Sequence, residues 1–86
     1  MSVVIPSQLR SYTGGAVRVE VAGATIDAAL DALDARFPGI KFRVIDEQGA
    51  IRPHMRIFAN GAMARRIDLP LKDGDELFIA GALSGG

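Results

Sequence analysis

The order of apolar patterns along the chain predicts an α+β fold in which one helix covers one face of a small mixed sheet. Three observations carry that expectation. Val17 to Val21 and Met55 to Ala59 alternate in the period of two that marks a half-buried strand. Between them Ile26, Ala29, Leu30, Leu33 and Phe37 recur at helical spacing. Apolar runs at Ser2 to Ile5 and Glu76 to Ala80 add outer members, so the order reads strand, strand, helix, then two or three strands.

Each element has a local reason. Ser2 to Ile5 is β-branched and apolar, and Pro6 closes it because proline donates no ladder hydrogen bond. Leu9 and Tyr12 are expected to dock the exit on the core, and Thr13-Gly14-Gly15 is a turn signal that makes the first two strands a hairpin. Thr25 is placed to cap the helix, Asp27 suits the positive end of the helix dipole, and Pro38-Gly39 stops it. Asp27, Asp31 and Asp34 form an acidic stripe that reads as a solvated outer face. Ile40, Phe42, Val44 and Ile45 must bury something, as a short strand or a helical turn, and Asp46 to Gly49 is loop. Asn60-Gly61 is a strong tight-turn pair. A poorly patterned run, Ala62 to Ile67, precedes Leu69-Pro70-Leu71, the turn at 72–75 and the last strand.

Composition narrows the function. At 86 residues the chain is expected to form one domain, and a chain of that size buries roughly 60–65% of its unfolded surface. Ten basic side chains balance ten acidic ones, so no long-range field draws nucleic acid or an anionic membrane. Cysteine is absent, which removes disulfides, thiolate metal sites and cysteine nucleophiles. No stretch approaches the about 20 apolar residues that span a bilayer, and the start lacks a signal-peptide pattern, so a cytoplasmic location is expected. His54 is the sole histidine and reads as a surface residue; Tyr12, Met55 and Met63 read as packing. No catalytic constellation, phosphate-cradling glycine loop or metal cluster is apparent, and the chain reads as no enzyme.

The chain ends Leu83-Ser84-Gly85-Gly86. Paired glycines make a thin, flexible thread able to enter a narrow cleft in another protein and present a terminal carboxylate there. Taken with Leu71-Lys72-Asp73-Gly74-Asp75-Glu76-Leu77, this ending resembles the C-terminal signature of the ThiS/MoaD sulfur-carrier family, ubiquitin-like proteins of the β-grasp fold. Ile5-Pro6, Leu9-Arg10 and Thr13-Gly14-Gly15 resemble its actinobacterial cysteine-biosynthesis branch more than the molybdopterin or thiamine branches.

The resemblance implies a β-grasp domain over residues 1–81 and a flexible tail over 82–86. It implies that an E1-like adenylyltransferase and sulfurtransferase adenylates the Gly86 carboxylate with ATP, and that a sulfur source then leaves a thiocarboxylate on Gly86. Leu83, Ser84 and Gly85 would thread the tail into the partner. A sulfur-accepting biosynthetic enzyme would follow, with a JAMM-type metalloprotease regenerating the carrier in the cysteine branch; the carrier itself would bind no cofactor or metal. Other outcomes within the resemblance are a molybdopterin synthase small subunit, or a ubiquitin-like modifier joined to lysines through Gly86. A noncovalent interaction module with an incidental tail is a further reading. Ala80-Gly81-Ala82-Leu83 lacks the proline common before the family's tail, which predicts a looser tail.

If the helix covers the Leu77 and Ile57 face, alternation turns Phe58 and Phe78 outward. The family topology would set their strands side by side, making an apolar partner-binding patch rimmed by Arg56. Arg65-Arg66 reads as a solvated edge strand.

Overall fold

A computed structural model describes residues 1–81. The expected tail, with Leu83, Ser84, Gly85 and Gly86, lies outside the described residues. Five strands, β1 (Ser2–Val4), β2 (Arg18–Glu20), β3 (Met55–Ala59), β4 (Ala62–Ala64) and β5 (Glu76–Gly81), form one sheet in the order β2-β1-β5-β3-β4. β1 and β5 run parallel and the other neighbours antiparallel. This is the expected α+β arrangement, a ubiquitin-like β-grasp.

Helix α1 (Ile26–Arg36) lies on one face, and its N-terminus leaves no orphan donor in the first turn. The Thr25 hydroxyl accepts from the Ala28 amide at 3.1 Å, and the Thr25 carbonyl accepts from Ala29. The remaining two amides, Ile26 and Asp27, donate to the carbonyls of Leu69 and Ile67. The extended segment 67–71 thus stitches the helix start to the sheet, and Leu71 N–H returns the bond to the Ala24 carbonyl. Ile26, Ala29, Leu30 and Leu33 pack on Val3, Ile57, Leu77 and Ile79, all but fully buried.

Several sequence expectations are corrected. The second strand is shorter than its alternation predicts: β2, an edge strand, begins at Arg18, Val19 is buried and Val21 packs against the core, but Val17 is exposed. Ile40 to Val44 resolves as a short helix, α2, whose buried residues are Ile40 and Val44. Phe42 does not bury; it is 55% exposed, with the Arg52 guanidinium 4.5 Å from its ring centroid. The acidic stripe is more than a solvated face. Asp34 Oδ1 accepts from the Gly39 and Lys41 amides, and Lys41 Nζ bridges Asp27 and Asp31 at 2.6 and 2.5 Å, clamping α2 against α1. Burial of Lys41 disfavours its charge, yet hydrogen bonds to the two carboxylates and their attraction more than offset this and raise its pKa. Met55 packs in the core as expected, whereas Met63 is exposed on the outer face.

Tight turns fix the register. Asn60 and Gly61 both have positive φ, 50° and 85°, the pair of left-handed residues that a two-residue hairpin loop needs. Asn60 also grips β5, its amide donating to the Glu76 carbonyl and its side-chain oxygen accepting from the Glu76 amide.

Candidate functional site

The strand that carries the chain toward its C-terminal residues is the middle one. β5 pairs with β1 from Glu76 to Phe78 and with β3 from Leu77 to Gly81, where Met55 lies opposite. Its last three residues, Ile79 to Gly81, are held in the sheet by β3 alone. Gly81 sits close under Gln8, whose side-chain amide a Cβ at that position would overlap. Beside it runs a groove of about 390 Å3 lined by Val4, Pro6, Gln8, Phe78, Ala80 and Gly81.

On the face opposite the helix, register assembles a row of apolar side chains. Val4 pairs with Phe78, Phe78 with Phe58, and Phe58 with Met63. The two rings meet edge to face, with centroids 6.4 Å apart and planes at 72°. Phe78 is 45% and Met63 43% exposed, while Val4 and Phe58 are half-buried. Arg18 lies at the β2 end of the row, opposite Val4, and ion-pairs with Glu76. Toward the β5 exit stands Arg56, opposite Ala80, its guanidinium donating to the carbonyls of Pro53 and Met55. Arg56 is therefore tied to the backbone at the entry to β3.

The structure thus brings Phe58, Phe78 and Arg56 to one surface adjoining the root of the tail. Sequence reasoning missed Val4 and Met63, although counting from Asn60-Gly61 places Met63 opposite Phe58. Gln8 was missed without any local signal, since only the path of the loop after β1 brings it to Gly81. Arg65 and Arg66 are exposed beyond β4, and Arg66 pairs with Asp68 at 2.8 Å. His54 is exposed. Among the described residues no group of three His, Cys, Asp or Glu side chains could hold a metal ion, and no helix is long and apolar enough to cross a membrane.

At the other end of β5, the turn at 72–75 is closed by the Lys72 amide, which donates to Asp75 Oδ2 at 2.7 Å, and by the Asp75 amide, which donates to the Lys72 carbonyl. The first of these bonds, helped by Asn60, lowers the Asp75 pKa below the ordinary aspartate range.

Comparison with known proteins places this architecture. The sulfur carrier protein CysO of Mycobacterium tuberculosis is 32% identical over 91 residues, spanning 100% of this chain and 98% of that protein. The small archaeal modifier protein 1 of Haloferax volcanii is 38% identical over 71 residues, 81% of this chain and 80% of that protein. Among solved structures, the Amycolatopsis orientalis BexX/CysO complex contains a chain that superposes with a TM-score of 0.92 at 35% identity, covering 99% of this chain and 98% of that one. The pattern of the ThiS family matches residues 3–86. On that match and the shared β-grasp architecture, the chain belongs to the ThiS family.

Proposed function

We propose that this protein is a sulfur carrier whose Gly86 carboxylate is the working group. The observation that carries the reading is full-length similarity to the sulfur carrier CysO, with the family match running through residue 86. A carboxylate resists substitution until one oxygen becomes a good leaving group. An E1-like partner would supply this by joining the carboxylate to AMP at the expense of ATP, with release of pyrophosphate; a sulfur nucleophile then displaces AMP, leaving the thiocarboxylate. The chain is a substrate in these steps and no catalyst. The sulfur passes to a biosynthetic enzyme making cysteine or a related sulfur-containing metabolite, and a JAMM-type protease suits a route that returns the carrier after acyl transfer.

The outer row of Val4, Phe78, Phe58 and Met63, with Arg56 at its rim, is the docking surface for these partners in this reading. Its support is an exposed apolar patch on the strand that leads to the tail, together with a solved complex in which a CysO is bound to another protein, BexX. A second reading, a modifier joined to lysines through Gly86, is favoured by the similarity to the archaeal modifier. Intact mass of the protein from its native cells separates the two: exchange of one oxygen for sulfur marks the carrier, and the added mass of a whole protein marks the modifier. Deleting Gly86 should abolish pyrophosphate exchange by the activating enzyme and leave the fold unchanged; normal exchange by a chain ending at Gly85 refutes both.

A further inference from the structure

An activated glycyl carboxylate is an electrophile toward any primary amine it meets, so the chain's own amines decide whether it can consume itself. There are three. Of the ten basic side chains only Lys41 and Lys72 are lysines, and the third amine is the Met1 terminus. The other eight basic side chains are arginines, whose delocalised guanidinium offers no primary amine.

Two of the three amines are locked. The Met1 ammonium donates to the Val21 carbonyl at 2.9 Å beside Glu20, and the Met1 side chain is 2% exposed. Lys41 Nζ is held between Asp27 and Asp31, in contacts that keep it protonated and occupied. Lys72 is exposed on its turn, and its ammonium makes no ion pair among the described residues.

We infer that Lys72 is the acyl-acceptor site of this chain, taking an isopeptide bond from the activated Gly86 of a second copy; this rests on the carboxylate activation proposed above. Position favours a second copy over the chain's own tail. Lys72 precedes β5 and the tail follows it, and the six residues of β5 separate the two by about 17 Å at a strand's rise. The five residues 82–86 span at most about 18 Å fully extended. Even with the reach of the Lys72 side chain, self-reaction would need the tail to reverse and run back, largely extended, along β5, a reversal that reaction between two copies does not require. In the reaction the unprotonated Lys72 amine attacks the Gly86 carbonyl carbon of the other copy. The C–N bond forms, the bond to the leaving group breaks with its electron pair on AMP, and the amine proton passes to solvent.

The test needs no activating enzyme. The full chain is prepared as a C-terminal thioester at Gly86, for which the leaving group is a thiol, and incubated at high and low concentration; products are digested and the linked peptides sequenced by mass spectrometry. Covalent dimers with a Gly86–Lys72 link are expected, rising with concentration, retained in Lys41→Arg and lost in Lys72→Arg. Limiting N-hydroxysuccinimidyl acetate on the ordinary full chain should acetylate Lys72 about tenfold or more faster than Lys41 or Met1, whose reaction waits on local opening. Dimers that persist in Lys72→Arg, a concentration-independent cyclised monomer, or faster acetylation of Lys41 or Met1 each overturn the assignment. Pyrophosphate exchange with the activating enzyme reads the carboxylate activation separately, so loss of one leaves the other standing.

Discussion

Leu77 and Phe78 are adjacent on β5 and point to opposite faces, so replacing each by alanine measures which face is core. Leu77 is 0% exposed under α1, and removing a fully buried leucine costs about 2–5 kcal/mol in lost transfer energy and cavity. Phe78 is 45% exposed. Burying only about half of a ring whose full truncation costs about 3–5 kcal/mol leaves roughly 1.5–2.5 kcal/mol for Phe78→Ala. Part of that is the edge-to-face contact with Phe58, which a double-mutant cycle on Phe58→Ala and Phe78→Ala should return as about 0.5–1.5 kcal/mol of coupling. Urea midpoints at constant slope give all four values. Leu77→Ala must be the costlier substitution, while Phe78→Ala should also weaken partner binding by a hot-spot amount of about 1–3 kcal/mol. A Phe78→Ala loss as large as that of Leu77→Ala, with partner affinity unchanged, refutes the docking surface.

Other expectations follow from single contacts. Thr25→Ala removes the cap on the Ala28 amide and should cost about 1 kcal/mol in denaturant unfolding, with Thr25→Ser restoring most of it. Gly23→Ala would place a methyl 2.5 Å from the Ala29 amide nitrogen, against helix backbone that cannot yield, and should lower stability by about 1–3 kcal/mol. Asp46 accepts from the Ala50 and Gln48 amides and Asp75 from the Lys72 amide, and both have lowered pKa values. A carboxyl lowered on folding adds stability above its unfolded pKa and loses it as pH falls through the folded one, so thermal midpoints should drop below about pH 4. Carboxyl titration by NMR should find Asp46 and Asp75 among the last to protonate; ordinary values at both would remove this source of acid sensitivity.

The hairpin of β1 and β2, the span of α1 and the Asn60-Gly61 turn were legible because their causes are local: period, cap and positive φ all reside in a few consecutive residues. The faces of β3 and β5 followed from alternation once a helix was assigned to one side. α2 was illegible for the converse reason. Five residues are too few for a helical period, and what holds them is Asp34 and Lys41 acting across the junction with α1. Phe42 misled because apolar character predicts burial, while here Arg52 shields one side of an exposed ring. The segment at 67–71 shows no strand pattern since its work is done by backbone carbonyls that receive the first amides of α1. Of the candidate site, the outward phenylalanines could be read from sequence; Val4 and Gln8 required knowing that β1 lies beside β5.

That neighbouring of β1 and β5 has a consequence for how the molecule comes into being. The centre of the sheet joins Ser2 to Glu76 and Val4 to Phe78, so the strand made first finds its inner partner only when the strand made last is available. Pairings so distant in sequence close slowly compared with hairpins. A nascent chain at the ribosome can form the β1 and β2 hairpin and the first turns of α1, yet it has no completed core. A molecule with its sheet closed has therefore already been translated through β5, so an enzyme that recognises the folded sheet is spared engagement with unfinished copies.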